Sequence, residues 1–263
     1  MQIISSVIRL IGRLQFKFPF LRKPINLIAQ HLISRGPGKI KSGVGKGLLF
    51  NAAGCNPGFL FGTSAPLEQQ TLVKFLKRGD VFYDLGANAG FYCVIGARQV
   101  GETGRVFGFE PTPMLVSRIQ QNAILNGFTN VEVVPMAVGA TNGMIQFGVL
   151  GDLSVENSIN AAKHAENTMN VPCITIDAFA SEHRPPNLLM MDIEGAELDA
   201  LKGGMETIRR YLPTMMIEVH WLGEAFKDFY SENLKPLGYV ATTYDGAPLP
   251  VGTVRYHCLL RVG

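Results

Sequence analysis

The stretch VFYDLGANAGFYCVIGARQV, residues 81–100, carries the pattern that decides the fold. It opens as a short apolar run typical of a buried strand and closes with a segment of helical composition. Gly86 and Gly90 lie between the two parts, where glycine permits a tight turn and a close approach of the backbone to a ligand. A strand, a glycine turn and a helix in this order predict one β-α unit of a parallel sheet.

The same alternation continues toward the C-terminus. Thr112 and Pro113 are residue types that begin helices, and Asn126-Gly127 is typical of a helix end. A single helix is predicted after residue 192, because apolar residues recur at helical spacing from Leu198 to Leu212. Further strands are predicted at residues 105–110, 131–138, 188–192 and 214–220.

Residues 239–244 and 255–262 are expected to form a closing strand pair. Together with the five β-α strands, this pair predicts an α/β fold with a seven-stranded, mostly parallel sheet, an antiparallel edge strand and helices on both faces. An irregular insert, residues 141–170, interrupts the alternation. Its residues Ser154, Asn157, Ser158 and His164 are candidates for substrate contacts, because long excursions of this kind often carry them.

The N-terminal part of the chain differs in charge from the rest. The net charge of the 263 residues is +3, but no Asp or Glu precedes Glu68, whereas nine Lys and Arg residues do. We predict a basic, partly helical arm over residues 1–58 and one domain over residues 59–263, with the insert inside it. A basic arm beside a near-neutral body favours an anionic partner.

Residues 1–23 have apolar residues at helical spacing with Arg9, Arg13 and Lys17 on another face. The apolar run is too short and too charged to span a bilayer. Two interpretations stay open: the apolar face packs on the body or on a second subunit of a homo-oligomer, or it lies in a membrane interface. Nucleic acid is not an expected partner, because few aromatic residues interleave the charges.

The four cysteines, Cys55, Cys93, Cys173 and Cys258, lie far apart and form no CxxC pair. This spacing argues against a zinc site and against a disulfide framework, and no secretory signal is evident. The expected location is the cytoplasm, with peripheral membrane contact if the arm provides it.

Acidic residues stand at the ends of the first two predicted strands. In a parallel sheet the ligand lies beyond the carboxyl ends of the strands, where the strand order reverses. Glu110 lies twenty residues after Gly90, where an acid can accept hydrogen bonds from both hydroxyls of a ribose. Asp84 precedes the glycine turn, and a carboxylate there favours a cationic ligand over a pyrophosphate. A nucleoside with cationic groups fits this pattern, and S-adenosylmethionine is such a molecule.

Two rival classes remain beside that interpretation. A nicotinamide-dependent oxidoreductase would be expected to carry a GxGxxG turn, which the chain lacks. A non-catalytic, nucleoside-binding protein could keep the same fold, although acids at the strand ends disfavour it.

The chain resembles the FkbM-type methyltransferases, which are S-adenosylmethionine-dependent enzymes of the Rossmann-like class I. The segments that carry the resemblance are GDVFYDLGANAGFY (79–92), VFGFEP (106–111), ITIDAF (174–179), MMDIEGAELDALKGG (190–204) and IEVH (217–220). The resemblance implies methyl transfer, mostly to a hydroxyl of a glycan, a lipid-linked sugar or a natural product. One position departs from the family pattern: an acid often precedes a proline there, whereas this chain has Ala65-Pro66, with Glu68 two residues later.

Carried over by position, the resemblance implies that the glycine turn lines the methionine half of the cofactor. Glu110 would bind the ribose and Pro111 would lie against the adenine. The predicted cofactor-binding residues are Asp84, Gly86, Ala87, Asn88, Gly90, Glu110, Pro111, Ala137 and Asp192.

An acidic cluster, DIEGAE, follows the fourth strand of the alternation. Its acids have a plain structural interpretation, since acids in the first turn of a helix are stabilised by the dipole, and this applies best to Glu197. The functional interpretation is a base near the incoming hydroxyl oxygen. The predicted catalytic residues are Asp192, Glu194, Glu218 and His220. The same four groups could hold a divalent cation, but direct base catalysis is preferred because hard cations take more oxygen ligands.

Overall fold

The computed structural model describes residues 36–149, 167–250, 253 and 255–263. The chain divides into two compact units, with the boundary between Pro66 and Leu67. The predicted division into an arm over residues 1–58 and a domain from residue 59 stays a prediction. The amphipathic segment of residues 1–23 and the insert positions Ser154, Asn157, Ser158 and His164 lie outside the described residues.

The described part of the first unit contains a short antiparallel pair and one helix. Strands β1 (Gly38–Lys39) and β2 (Leu49–Phe50) pair with each other, and helix α1 spans Pro57–Phe61. The Asn56 side chain caps α1 by accepting the Gly58 N–H at 2.8 Å. Helix α2 (Pro66–Phe75) then leads into the second unit.

The second unit is built on the predicted seven-stranded sheet. Its strands, in chain order, are β3 (Val81–Leu85), β4 (Arg105–Phe109), β5 (Val131–Val134), β9 (Leu188–Met191), β10 (Thr214–His220), β11 (Tyr239–Thr242) and β12 (Arg255–Val262). Across the sheet the order is β11-β12-β10-β9-β3-β4-β5. The fold class is therefore confirmed, and the strand order reverses at β3 and β9, which pair in parallel.

One detail of the sheet differs from the expectation. The antiparallel strand is β12, and it lies second from the edge, between β10 and β11. The edge strand is β11. After β11 the chain turns back, and β12 pairs with both β11 and β10. The pattern of apolar residues does not reveal this order.

Helices cover both faces of the sheet. Successive residues of β3 point in opposite directions and therefore contact different helices. Tyr83 packs against Phe179 with ring centroids 5.3 Å apart, on the face covered by helix α5 (Ile176–Glu182). Phe82 faces the opposite helix, α3 (Phe91–Val100), where a Cβ at Gly96 would come within 2.6 Å of the Phe82 ring. All five residues of β3 are buried, as expected of a central parallel strand.

Helix α4 (Pro113–Leu125) begins and ends where the sequence predicts. Thr112 occupies the N-cap position and Asn126 the C-cap position. The following strand prediction, residues 131–138, is wrong in one respect, because Pro135 divides it. Proline has no N–H to donate to a sheet, so β5 stops at Val134. Residues Ala137–Val138 form a separate strand, β6.

Strand β6 belongs to a second, three-stranded sheet that includes part of the insert. It pairs in parallel with β8 (Asn167–Ile174), which pairs antiparallel with β7 (Gly143–Val149). This sheet extends from the carboxyl end of β5, on the side of the main sheet where ligands bind.

The single helix predicted after residue 192 consists of two helices, α6 (Glu197–Lys202) and α7 (Met205–Tyr211). Gly203, which separates the two helices, lies against the main chain of Gly139. A Cβ added at Gly203 would be 2.2 Å from the Gly139 carbonyl oxygen. The start of α7 is stabilised by Asp177, whose carboxylate accepts the N–H groups of Glu206 at 3.1 Å and Thr207 at 2.7 Å. The prediction of a single helix is therefore wrong, because these tertiary contacts interrupt it.

Helix α8 (Gly223–Phe229) follows β10 and leads through short helical turns into β11. All four cysteines lie within the described residues, where each is buried and none forms a disulfide. Among the described helices, none has both the length and the apolar character that a membrane crossing requires.

Candidate active site

A cleft lies at the carboxyl ends of the central strands, next to the point where the strand order reverses. It is open to solvent on one side. Its walls are Gly86, Asn88, Phe109, Glu110, Pro111, Leu115, Met136, Ala137, Val138, Phe147, Asp192, Ile193 and Ala196. Most of these residues are apolar, and three of them, Asn88, Glu110 and Asp192, have polar side chains.

The glycine turn after β3 has the conformation that its sequence requires. Gly86 has φ +85°, and a Cβ at this position would lie 2.0 Å from the Asp192 carbonyl oxygen. Asn88 also has positive φ, +49°, a conformation that asparagine tolerates. The N–H groups of Gly86 and Ala87 both donate to the Phe109 carbonyl at 3.0 Å. These contacts join the first turn to the ends of both neighbouring strands.

Glu110 is the buried carboxylate of the cleft. Its Oε2 accepts the Asn88 N–H at 3.0 Å and its Oε1 accepts the Thr112 N–H at 2.9 Å. Burial raises the pKa of Glu110 to about 7, although the two backbone N–H groups act to lower it. Since each carboxylate oxygen has two lone pairs, the group held in this position can accept further hydrogen bonds from a ligand.

Asp84 lies behind the turn and does not contribute to the cleft walls. It is almost fully buried, and the Cys93 thiol donates to its Oδ2 at 3.2 Å. Burial raises the pKa of Asp84 to about 7, against the lowering effect of that hydrogen bond. Ala87 and Gly90 likewise lie outside the walls, whereas the other predicted cofactor-binding residues line the cleft. The binding role of this set stays a prediction.

The raised pKa of Asp84 predicts how stability depends on pH. Between its ordinary pKa near 3.8 and about 7, the folded state keeps a proton that the unfolded state has released. Stability therefore falls as pH rises through this window. Asp84→Asn removes this titration, so the variant should gain stability relative to the parent between pH 5 and pH 8. The expected gain is on the order of 1 kcal/mol or more, since one pKa unit corresponds to about 1.4 kcal/mol.

Urea unfolding of the parent and Asp84→Asn at both pH values measures this difference. Asp199→Asn provides the control, because the Asp199 side chain is 59% exposed. A stability difference that does not change with pH would show that Asp84 titrates normally.

The acidic cluster follows β9 in an irregular turn. Asp192 lines the cleft with a side chain that is 42% exposed, although its Oδ1 atom is buried. Glu194 has φ +51° and is nearly buried. Glu197 is the first residue of α6 and is fully buried, with its Oε1 accepting the Gly195 N–H at 3.0 Å. The capping interpretation of Glu197 is thus incomplete, since its main side-chain partner is a histidine.

That histidine is His220, the last residue of β10. Its Nδ1 donates to Glu197 Oε1 at 2.8 Å, and its ring is fully buried. The Nε2 atom lies 3.5 Å from Glu194 Oε2, 3.7 Å from Glu218 Oε1 and 3.8 Å from Asp192 Oδ1. Burial alone would lower the pKa of His220, but the hydrogen bond and charge of Glu197 and the charges of Glu194 and Asp192 raise it. The structure therefore brings the four predicted catalytic residues together.

These contacts also shift the pKa values of the carboxylates. Burial, followed by the charge of Glu218, raises the pKa of Asp192 well above its ordinary value, although His220 opposes this. Burial likewise raises the pKa of Glu194. Glu218 behaves differently: burial would raise its pKa, but His257 and Arg255 bring it down to about 2. Within the cluster the pKa values of Asp192, Glu194 and His220 are therefore shifted upward, whereas that of Glu218 is shifted downward.

Three further residues near the cluster, Arg255, His257 and Tyr244, were not predicted as site residues. Arg255 Nε contacts Glu218 Oε1 at 2.5 Å, and His257 Nε2 lies 2.8 Å from Glu68 Oε1. The His257 ring stacks on Tyr244 with centroids 5.1 Å apart. Contacts with Glu218 and Glu68 raise the pKa of His257 to about 10. The sequence does show that Arg255 and His257 lie on one face of a strand, because they alternate in RYHCLLRV. Their position beside Glu218 depends on the register of β12 against β10.

Glu68 accepts the Tyr92 hydroxyl at 2.5 Å through Oε2 and faces His257 through Oε1. It therefore belongs to the acidic cluster and not to the walls of the cleft. Phe147 of β7 is a wall residue that was not predicted as a site residue; it lies within the predicted insert.

The strand order, the reversal point and the cleft with its buried acid define a Rossmann-like class I methyltransferase fold. A family model described as the methyltransferase FkbM domain matches residues 84–240, which is more than half of the chain. The chain belongs to this family, and the resemblance predicted from its motifs is confirmed.

Two relatives share sequence with a large part of the chain. The hexuronic acid methyltransferase AglP of Haloferax volcanii is 29% identical over 156 residues, which cover 57% of this chain and 59% of AglP. The 2-O-methyltransferase NoeI of Sinorhizobium fredii is 26% identical over 169 residues, which cover 56% of this chain and 67% of NoeI. The chain thus spans less than two thirds of the length of AglP.

Among solved structures, the methyltransferase FkbM of Methylobacillus flagellatus aligns with 90% of this chain and 58% of its own. The identity is 16% and the TM-score is 0.45.

Proposed function

We propose that the protein transfers the methyl group of S-adenosylmethionine to a hydroxyl oxygen of a sugar, in a glycan, a lipid-linked sugar or a related natural product. The observation that carries this proposal is the position of Glu110. Its buried carboxylate lines the cleft at the end of the second strand and is held there by two backbone N–H groups. Membership of the FkbM family supports methyl transfer.

The residues that line the cleft suit the chemistry of the cofactor. Glu110 would accept hydrogen bonds from the ribose hydroxyls, and Pro111 with Ala137 would pack against the adenine. The methionine half would lie over the turn at Gly86 and Asn88, close to Asp192. When bound, S-adenosylmethionine supplies a methyl group on a positively charged sulfur.

The remaining task of the protein is to place and deprotonate the acceptor hydroxyl. Asp192 is the member of the acidic cluster that lines the cleft, so the acceptor would approach the methyl group beside it. In the transfer, the acceptor oxygen would take the methyl group, S-adenosylhomocysteine would leave, and the hydroxyl proton would pass to the cluster. Holding both reactants in line is expected to supply much of the acceleration.

The names of AglP and NoeI support the choice of acceptor, since one is described as a hexuronic acid methyltransferase and the other as a 2-O-methyltransferase. Both descriptions suit a hydroxyl on a sugar. The direct test is incubation of the protein with isotopically labelled S-adenosylmethionine and a panel of glycans, uronic acids and lipid-linked sugars. Mass spectrometry should find a labelled O-methyl group on a member of the panel.

A parallel titration separates this proposal from its rivals. Calorimetry should detect binding of S-adenosylmethionine and of S-adenosylhomocysteine, but not of NADH. Binding of NADH alone would favour the oxidoreductase, and cofactor binding without transfer to any acceptor would favour a non-catalytic protein.

Trp221 is a candidate platform for the sugar ring. It is the only tryptophan of the chain and follows β10 directly. Its side chain is 59% exposed, its φ is +52°, and its ring lies 5.3 Å from that of His220. An exposed aromatic ring beside the acidic cluster offers apolar surface to one face of a sugar.

Trp221→Ala should therefore raise the KM for the acceptor roughly tenfold, equivalent to about 1.4 kcal/mol, without changing the affinity for S-adenosylmethionine. Steady-state kinetics with the acceptor found above measures the change. Tyr211→Ala is the matched control, because Tyr211 is also an exposed aromatic residue but precedes β10 at the opposite end of the strand. Equal KM values for the parent and Trp221→Ala would remove Trp221 from the acceptor site.

A further inference from the structure

A fully buried histidine nitrogen faces the carboxylates of the acidic cluster. The Nε2 atom of His220 has no hydrogen-bond partner among the described residues, and neither has the Oδ1 atom of Asp192. An orphaned polar atom in the interior costs free energy, so its retention calls for a physical reason. Both atoms point into the same small space, which is also bordered by Glu218 and Glu194.

The spacing around this space differs from that of hydrogen bonds. Three carboxylate oxygens lie 3.5, 3.7 and 3.8 Å from His220 Nε2, beyond the usual hydrogen-bond range of about 2.7–3.2 Å. Donor atoms around a tetrahedral cation at about 2.1 Å lie roughly 3.4 Å from one another. The ligand atoms of Asp192, Glu218 and His220 all lie within 4.8 Å of one another. The separations are thus close to those of a metal site.

The other ring nitrogen of His220, Nδ1, has the hydrogen-bond partner that a metal-binding histidine usually has. Glu197 accepts the hydrogen of His220 Nδ1 at 2.8 Å and is itself fully buried. A carboxylate on the far nitrogen is the usual partner of a metal-binding histidine, because it fixes the tautomer and orients the ring. It leaves the Nε2 lone pair directed at the cluster whenever His220 is neutral.

Charge also favours a cation at this position. Within the described residues the cluster contains five carboxylates and three groups that can carry positive charge, namely Glu68, Asp192, Glu194, Glu197 and Glu218 against His220, Arg255 and His257. Acidic groups thus outnumber basic groups by two. Arg255 lies beside Glu218 and 4.0 Å from Glu194, and His257 lies beside Glu68 and Glu218.

We propose that Asp192, Glu218 and His220 bind one divalent cation, with Glu194 beside them. A set of one imidazole nitrogen and several carboxylate oxygens suits manganese or zinc better than magnesium or calcium, which prefer oxygen alone. Glu197 acts as a positioning residue. Since Asp192 also lines the cleft, the cation would hold the acceptor hydroxyl and lower its pKa; this part rests on the proposed function. Asp192 would then be a ligand rather than the base.

The test measures Mn²⁺ binding directly. The full chain is stripped with a chelator and titrated with MnCl₂, while electron paramagnetic resonance follows free Mn²⁺; competition with ZnCl₂ follows in the same samples. One bound ion per chain is expected. Asp192→Asn and Glu218→Gln should each weaken binding by at least about tenfold, and Glu197→Gln by about 10–100-fold. Asp199→Asn, on the exposed side of α6, should bind as the parent does.

Thermal unfolding of each variant confirms that it is folded. Should His220→Gln fail to fold, Asp192→Asn still tests the site, because the Asp192 side chain is partly exposed. Absence of Mn²⁺ and Zn²⁺ binding by the parent would overturn the proposal, and so would unchanged affinity in both Asp192→Asn and Glu218→Gln. Calorimetry with S-adenosylmethionine on the stripped protein keeps the two proposals separate: cofactor binding and methyl transfer in the presence of chelator would leave the proposed function standing without the cation.

Discussion

Glu110→Ala is expected to reduce the affinity for S-adenosylmethionine by at least about 100-fold. A hydrogen bond to a charged group contributes about 1.5–3 kcal/mol, and two ribose hydroxyls would lose their acceptor together. The backbone N–H groups of Asn88 and Thr112 would lose theirs as well, so the turn that carries the cofactor would lose its anchor. Isothermal titration calorimetry with S-adenosylmethionine measures the change.

Glu110→Gln distinguishes loss of recognition from loss of folding, because it keeps the shape of the side chain and one acceptor oxygen. It should bind more weakly than the parent and unfold at a similar temperature. Glu132→Ala is the matched control, since Glu132 is exposed on the neighbouring strand β5. If Glu110→Gln and Glu110→Ala both bound the cofactor as the parent does, the cleft would not be the cofactor site.

Asp192→Asn should lower kcat by about 10²–10⁴-fold, the usual contribution of a group that handles the proton in the transition state. Asparagine has nearly the same size as aspartate, but it cannot take a proton and it is a weaker metal ligand. The loss is therefore expected whether Asp192 acts as a base or as a ligand. Affinity for S-adenosylmethionine should stay close to that of the parent, because the main-chain contact to Gly86 is unchanged.

Single-turnover kinetics with a sugar acceptor measures the chemical step, and the Asp199→Asn variant reports any general effect of removing an acid from this region. Turnover of Asp192→Asn at the parent rate would exclude Asp192 from the reaction. His220→Gln is expected to lower turnover as well, but through Asp192 and Glu194, because the ring is buried and does not line the cleft.

The elements that local patterns determine were predicted well. The strand and turn at residues 81–90, the start of α4 at Pro113 and the strand ending at His220 follow from apolar runs, glycines and capping residues, all of which act over a few positions. The ends of parallel strands meet at one edge of a sheet. For this reason Glu110 and Asp192 could be placed at the same cleft from the residue order alone.

The errors have non-local causes. Gly203 interrupts a helical pattern because of the Gly139 carbonyl, which is distant in sequence. The position of β12 inside the sheet depends on pairing with β10 and β11 together. The same pairing brings Arg255 and His257 to Glu218, so these residues could not be assigned before the register was known. The break at Pro135 was the exception, since proline in a strand is a local signal that could have been used.

The contact between Gly86 and the Asp192 carbonyl has a consequence for how such an enzyme can diverge. Any side chain at residue 86 would displace the main chain that presents Asp192, so donor recognition and methyl transfer cannot be altered independently there. Laboratory selection for new acceptors is expected to leave this pair of turns untouched. Useful substitutions should instead accumulate at Trp221, Met136 and Phe147, because these residues do not take part in the contact between Gly86 and the Asp192 main chain.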